Sequence, residues 1–223
     1  MKQGIMGKRF ELIVFDWDGT LMDSTGAIVA SIQAAARDLG IDPPSDERAR
    51  HIIGLGLIDA LRHALPDLPM ERYQEVAERY RHHFLSRDQD LLLFDGAAEM
   101  IEDLTRAGHH LAVATGKTRK GLDRAFEVSG LGPRFQASRC ADECRSKPHP
   151  QMLEELMVEF GVEPDAMLMI GDTTHDLLMA RNAGVAALGV VYGAHPRQTL
   201  EAAGPVYCAG NVAELAAWLS LNG

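Results

Sequence analysis

Two aspartates one residue apart, in Phe15-Asp16-Trp17-Asp18-Gly19-Thr20-Leu21, directly follow a short apolar run. Residues i and i+2 of an extended segment point to the same side, so Asp16 and Asp18 converge. Two carboxylates that close repel, and ionising both becomes cheap only when a cation sits between them. Gly19 allows a tight backbone turn, while Trp17, on the opposite side, is expected in packing. Taken alone, the pair also fits a loop cap. Three further polar clusters change that balance. Thr115-Gly116 offers a hydroxyl and an unhindered N–H to a phosphate oxygen. Lys147-Pro148 sets a cation ahead of a helix, and Gly171-Asp172-Thr173-Thr174-His175-Asp176 adds two carboxylates four residues apart. His175 is expected on the surface at the start of a helix.

The elements that must position these residues are legible in the hydrophobic pattern. Runs at 11–15, 110–114, 166–170 and 185–191 are short, apolar and rich in β-branched or aliphatic residues, and read as buried strands. Helical patterns over 96–107, 119–129, 150–160 and 173–183 separate or follow them. Strands alternating with helices predict an α/β fold with a doubly wound parallel sheet, whose ligands bind beyond the carboxyl ends of the strands. Each polar cluster lies at such an end or at a helix start. Residues 22–92 break the alternation. They carry helical patterns at 27–39, 54–64 and 70–85 and no convincing strand. The expected organisation is a core made of residues 1–21 and 93–223, with an α-helical cap domain, 22–92, inserted after the first strand.

Four such motifs, in this order and at these places, resemble the haloacid dehalogenase-like (HAD) hydrolases, in the subgroup whose helical cap follows the first motif. The stretch His51-Ile52-Ile53-Gly54-Leu55-Gly56, with Leu61-Arg62-His63-Ala64 behind it, is similar to phosphoglycolate-phosphatase-like members. The resemblance implies a phosphatase acting on a small phosphorylated metabolite through an aspartyl-phosphate. In that reading Asp16 attacks phosphorus and Asp18 is the general acid and base. Mg²⁺ is held by Asp16, the backbone carbonyl of Asp18, and Asp172, while Asp176 binds or orients the metal shell. Thr115 and the Gly116 N–H grip the phosphoryl oxygens, and Lys147 offsets developing charge. Arg62 is a candidate contact for an anionic group on the substrate, because the cap contains no lysine.

Charge counting supports the need for a cation. Four aspartates against Lys147 leave three uncompensated negative charges without Mg²⁺ and one with it. Other chemistries of the same family fit less well. Dehalogenases lack the second aspartate of the first motif, and the phosphonate-cleaving members need a cap lysine for a Schiff base. A sugar phosphomutase shares all four motifs, and a non-catalytic phospho-ligand-binding protein is the alternative outside catalysis.

Composition bounds the remaining choices. The 223 residues carry 22 Lys+Arg against 32 Asp+Glu, a net charge of −10, with five lysines and none between Lys8 and Lys117. No basic run offers itself to a phosphate backbone or an anionic membrane, so neither nucleic acid nor membrane is expected as a partner. No apolar stretch reaches the roughly 18 residues of a spanning helix, and residues 1–9 lack the apolar region of a signal peptide. Cys140, Cys144 and Cys208 form no regular framework and read as free thiols in a reducing compartment. A cytoplasmic protein is the expectation; the sequence is silent on whether it is a monomer or a homodimer.

Overall fold

A computed structural model describes residues 9–223, apart from the side chain of Gln89. The expectation that the N-terminus carries no signal peptide concerns residues that lie, Arg9 excepted, outside the described ones.

In chain order the elements are β1 (Leu12–Phe15), α1 (Thr25–Asp38), α2 (Asp46–His51), α3 (Leu57–Ala64), α4 (Tyr73–Leu85), α5 (Ala97–Ala107) and β2 (His110–Thr115). They continue as α6 (Arg119–Ser129), β3 (Ala137–Cys140), α7 (Gln151–Phe160), β4 (Met167–Gly171), α8 (Thr174–Asn182), β5 (Ala186–Val190), α9 (Arg197–Ala202), β6 (Tyr207–Ala209) and α10 (Val212–Asn222). All six strands are parallel, in the order β3-β2-β1-β4-β5-β6.

Alternation along the central strands divides the core into two layers. Ile13, Phe15, Leu111, Val113, Leu168 and Ile170 face one side and meet the apolar faces of α5, α6 and α10. Leu12, Val14, Ala112, Ala114, Met167 and Met169 face the other and meet α7, α8 and α9. A sheet covered on both faces gives near-continuous apolar strands, the pattern by which they were legible. The order reverses between β1 and β4, so a crevice opens at their carboxyl ends. Asp16 follows β1 and Asp172 follows β4 at that place.

The helices α1 to α4 form a separate apolar cluster around Ile32, Ala49, Leu61, Val76 and Ala77. Its two connections to the sheet run side by side. The Asp23 N–H donates to the Leu92 carbonyl at 2.9 Å, and the Phe94 N–H to the Leu21 carbonyl at 3.0 Å.

The structure adds five elements that the periodicity did not reveal: β3, β6, α2, α9 and the last helix, α10. It also trims the helical run at 70–85, whose first three residues form a 3₁₀ turn. Among the described residues no helix is long and apolar enough to cross a membrane, and the three cysteines are free.

Candidate active site

The first motif lies on a tight turn. Gly19 has φ +77°, a value open chiefly to glycine, and the space a Cβ would take there is filled by the Asp172 carboxylate and the Thr25 methyl. The fourth motif is built by a capping box at the start of α8. Asp176 Oδ2 accepts from the Thr173 N–H at 3.1 Å and from its hydroxyl at 2.6 Å. Gly171 has no side chain because the Asp176 side chain lies where one would go. Asp176 is thus fixed by local helix chemistry as well as by the site.

Four acidic and two basic side chains meet at the crevice. Lys147, 2% exposed, reaches Asp16 Oδ1 at 2.9 Å and Asp176 Oδ1 at 2.6 Å. Asp172 accepts from the Thr20 hydroxyl at 3.1 Å and the Ala194 N–H at 2.7 Å. Asp18 has partners of its own. Its Oδ1 accepts from the Ser24 hydroxyl at 2.6 Å and pairs with Lys117 Nζ at 3.0 Å. Asp16, 0% exposed, is the exception: among the described residues neither of its oxygens accepts a hydrogen bond of sound geometry, and only the ion pair with Lys147 compensates it. A buried carboxylate left in that state is costly unless something else takes up its lone pairs.

Asp16, Asp172 and Asp176 can each turn one oxygen toward a common point, the three atoms lying within 4.8 Å of one another. The donors are all oxygen, which fits a hard divalent cation. The electrostatics agree. Burial pushes the Asp16 carboxyl up to about 7, opposed by Lys147 and reinforced by Asp176 and Asp18. Burial, with Asp16 and Asp176 beside it, also raises Asp172 well above the usual carboxylate range. For Lys147 burial acts downward, but Asp16 and Asp176 outweigh it and raise the ammonium. Without a cation, Asp16 and Asp172 resist ionising together.

Thr115 is buried at the end of β2, its oxygen accepting from the Lys117 N–H at 3.2 Å, which leaves the hydroxyl proton for another acceptor. Gly116 has a role the sequence did not disclose. A Cβ there would come within 2.6 Å of the Gly54 and Leu55 carbonyls, so its bareness lets the helical cluster's loop settle on the sheet. That loop is held again by Ser146, whose hydroxyl oxygen accepts from the Gly56 N–H at 2.9 Å. Gly54, at φ +90°, lies over Thr173 and Asp16.

The chain can be set beside known proteins. Residues 13–190 match the family described as haloacid dehalogenase-like hydrolase. The chain belongs to that family. It is 40% identical over 201 residues to a protein named probable phosphatase IndB of Dickeya dadantii, covering 87% of this chain and 86% of that one. It is 30% identical over 214 residues to a phosphoglycolate phosphatase of Vibrio parahaemolyticus, covering 92% and 94%. A hydrolase from Pseudomonas syringae shares the fold with a TM-score of 0.87 at 23% identity, over 95% of this chain and 98% of that one.

Of the residues singled out in the HAD motifs, Asp16, Asp18, Thr115, Gly116, Lys147, Asp172 and Asp176 come together at the strand ends. Arg62 does not join them. It is on the outer face of α3, about half exposed, paired with Asp59 at 3.2 Å, and does not line the cleft above Asp16. The arginine of the α1–α4 cluster that does line it is Arg81, on α4. His175 is half-buried rather than on the surface: its Nε2 meets the His51 carbonyl at 2.8 Å, and its ring packs on His51 and His195. Trp17 packs edge-on against Phe126 and Phe135, as its alternation predicts.

Sequence reasoning missed Lys117 and Ser24. Lys117 stands two residues after Thr115, within reach of the same site, and was counted only as composition. Ser24 precedes α1 where a capping serine is expected, yet its hydroxyl goes to Asp18 instead of the helix. With Lys117 included, four carboxylates face two lysines. The surplus is two negative charges, which one divalent cation cancels.

Proposed function

We propose that this HAD hydrolase is a Mg²⁺-dependent phosphomonoester phosphatase that transfers the phosphoryl group to Asp16. The observation that carries the reading is the buried Asp16 carboxylate, ion-paired at one oxygen, hydrogen-bonded at neither, and lining the cleft. Its relatives' names, a probable phosphatase and a phosphoglycolate phosphatase, point the same way.

In this reading residues 22–92 act as a cap over the core formed by 1–21 and 93–223. Asp16, Asp172 and Asp176 would hold Mg²⁺, with the Asp18 backbone carbonyl as a further donor. Once bound, the ion offsets negative charge on the phosphoryl oxygens. An Asp16 oxygen attacks phosphorus, forming an acyl phosphate as the bond from phosphorus to the alcohol oxygen breaks. Asp18 gives its proton to that oxygen. It then takes a proton from a water that attacks phosphorus, and phosphate leaves with Asp16 restored. Lys147 holds Asp16 in line and, with the Thr115 hydroxyl and the Gly116 N–H, balances the charge that develops on the transferred group. Lys117 and Ser24 are positioning residues for Asp18. Placed against its Oδ1, they keep the carboxyl at the cleft.

The test is phosphate release from a panel of phosphate monoesters, with Mg²⁺ and with chelator. Turnover that needs Mg²⁺ but no sugar bisphosphate is the expected result. Equal rates in metal-free buffer would remove the mechanism, and a bisphosphate requirement without phosphate release would make the chain a mutase. Its location in the cytoplasm is likewise proposed, from its free cysteines.

A further inference from the structure

The cleft above Asp16 and Asp18 encloses about 640 Å³. Pockets of roughly 300–1,000 Å³ bury molecules of drug size, and a two-carbon alcohol such as glycolate would leave most of this one to water. Its walls are apolar. Ile28 and Ile32 of α1, Ile52 and Ile53 of the loop, Leu57 of α3 and Phe84 of α4 line it between the carboxylates and the mouth. Tyr80 lines it too, its ring stacked on Phe84 at 5.7 Å and 22°.

The inner cation is already engaged. Lys117 Nζ pairs with Asp18 at 3.0 Å and stands 4.8 Å from the centre of the Phe84 ring. A carboxylate on the leaving alcohol would therefore compete with Asp18 for Lys117. The other cations that line the cleft are Arg81 of α4, Lys120, and Arg124, which pairs with Asp88 at 2.5 Å.

We propose that the cleft takes the phosphate ester of a bulky alcohol bearing a flat ring, with the ring between the isoleucines and the Tyr80–Phe84 pair and any polar edge at the mouth. This rests on the phosphatase reading above and narrows its substrate away from phosphoglycolate. The apolar wall supplies binding energy that a small acid cannot use, while the chemistry at Asp16 is the same for every ester.

The experiment measures kcat/KM of the full chain with Mg²⁺ for five esters of primary alcohols: ethyl phosphate, phosphoglycolate, butyl phosphate, benzyl phosphate and 2-naphthylmethyl phosphate. Burying a methylene yields ~0.8 kcal/mol, about fourfold in kcat/KM, so benzyl phosphate is expected to exceed ethyl phosphate by at least ~10-fold on that scale. A preference for phosphoglycolate or ethyl phosphate overturns the inference and leaves the phosphatase reading intact. Turnover of none of the five overturns the phosphatase reading and this inference with it. A second arm narrows the cleft with Leu57→Trp, at a half-buried lining position. The ratio of naphthylmethyl to ethyl kcat/KM is expected to fall by about tenfold, the effect of excluding two or so methylenes' worth of contact. An unchanged ratio in a variant that melts like the parent would count against the cleft as the ring's seat.

Discussion

The floor of the cleft and its roof are built by opposite means. The floor is polar and tightly assigned: Asp172 has two donors, Asp176 has Lys147 and Thr173, and Asp18 has Ser24 and Lys117. Of these four carboxylates, Asp16 alone accepts no hydrogen bond of sound geometry among the described residues, and it has the Lys147 ion pair. The roof is apolar and touches the floor mainly through backbone, where Gly54 and Leu55 lie over Gly116 and Gly56 bonds to Ser146. A fixed floor acts alike on every phosphate ester, whereas an apolar roof discriminates by the alcohol it covers. Interactions made only in the transition state raise kcat, and those made equally with bound substrate set KM. Floor substitutions should therefore lower turnover for all esters together, and roof substitutions should change ratios between esters.

The largest effect is expected at Asp16. Asp16→Asn should reduce kcat by roughly 10⁴–10⁶-fold, the scale on which nucleophiles fail. The metal-free protein should melt no lower than the parent, because the change removes one of several crowded buried carboxylates, while Lys147, which loses its pair with Asp16, keeps Asp176. A calorimetric scan beside the kinetics separates lost chemistry from lost folding.

Next is Lys117. Lys117→Met should lower kcat by roughly 10–10²-fold for small and large esters alike, since Asp18 keeps Ser24 but loses its cation, short of the full 10²–10⁴ an acid/base supplies. Lys117→Arg should recover part of it. A loss confined to large esters would move Lys117 from the floor to the roof.

The pH dependence of stability is the third test. Asp16 and Asp172 titrate above their unfolded value of 3.8 when metal-free, Asp16 near 7. Between those values the folded state binds protons that the unfolded state has released. The contribution is therefore fully present below about pH 4 and lost as pH rises through about 7. The melting temperature without metal should carry a falling component across that window, and the increment on adding Mg²⁺ should grow as it falls. A Mg²⁺ increment that shrinks toward pH 7 would contradict the placement of the cation among these carboxylates.

The smallest effect belongs to Arg62. Its side chain is half exposed and paired with Asp59, so Arg62→Ala should leave kcat/KM for phosphoglycolate within about twofold, as a surface ion pair is worth little. A larger rise in KM would place it over the cleft after all.

What was legible in the sequence follows the same division. The central strands are buried on both faces, so their apolar runs stood out; the edge strands β3, with Ser138 and Arg139 half exposed, and β6, of three residues, carry no such signal. The floor residues were legible because each sits at the end of an element that periodicity located. Lys117 was not, since its significance comes from the return of α1's leading turn, with Ser24 and Asp18, to the same place. The position of Arg62 away from the cleft lining was legible: Leu57, Leu61 and Ala64 mark one face of α3, and residue 62 projects from another. His175 depended on a contact with His51, 124 residues away, which no local pattern encodes. The cleft itself is formed by four separate stretches, and its size could come only from their packing.

The central claim is that phosphorus becomes bonded to Asp16. The most direct measurement is to quench the enzyme during turnover of a good ester with Mg²⁺, reduce with borohydride, and map the products by peptide mass spectrometry. An acyl phosphate on Asp16 is reduced to homoserine, whereas a free carboxylate is not. The account predicts that conversion at position 16 alone, rising with substrate occupancy and absent with chelator. Unmodified Asp16 at every quench time, while phosphate is being released, would contradict it.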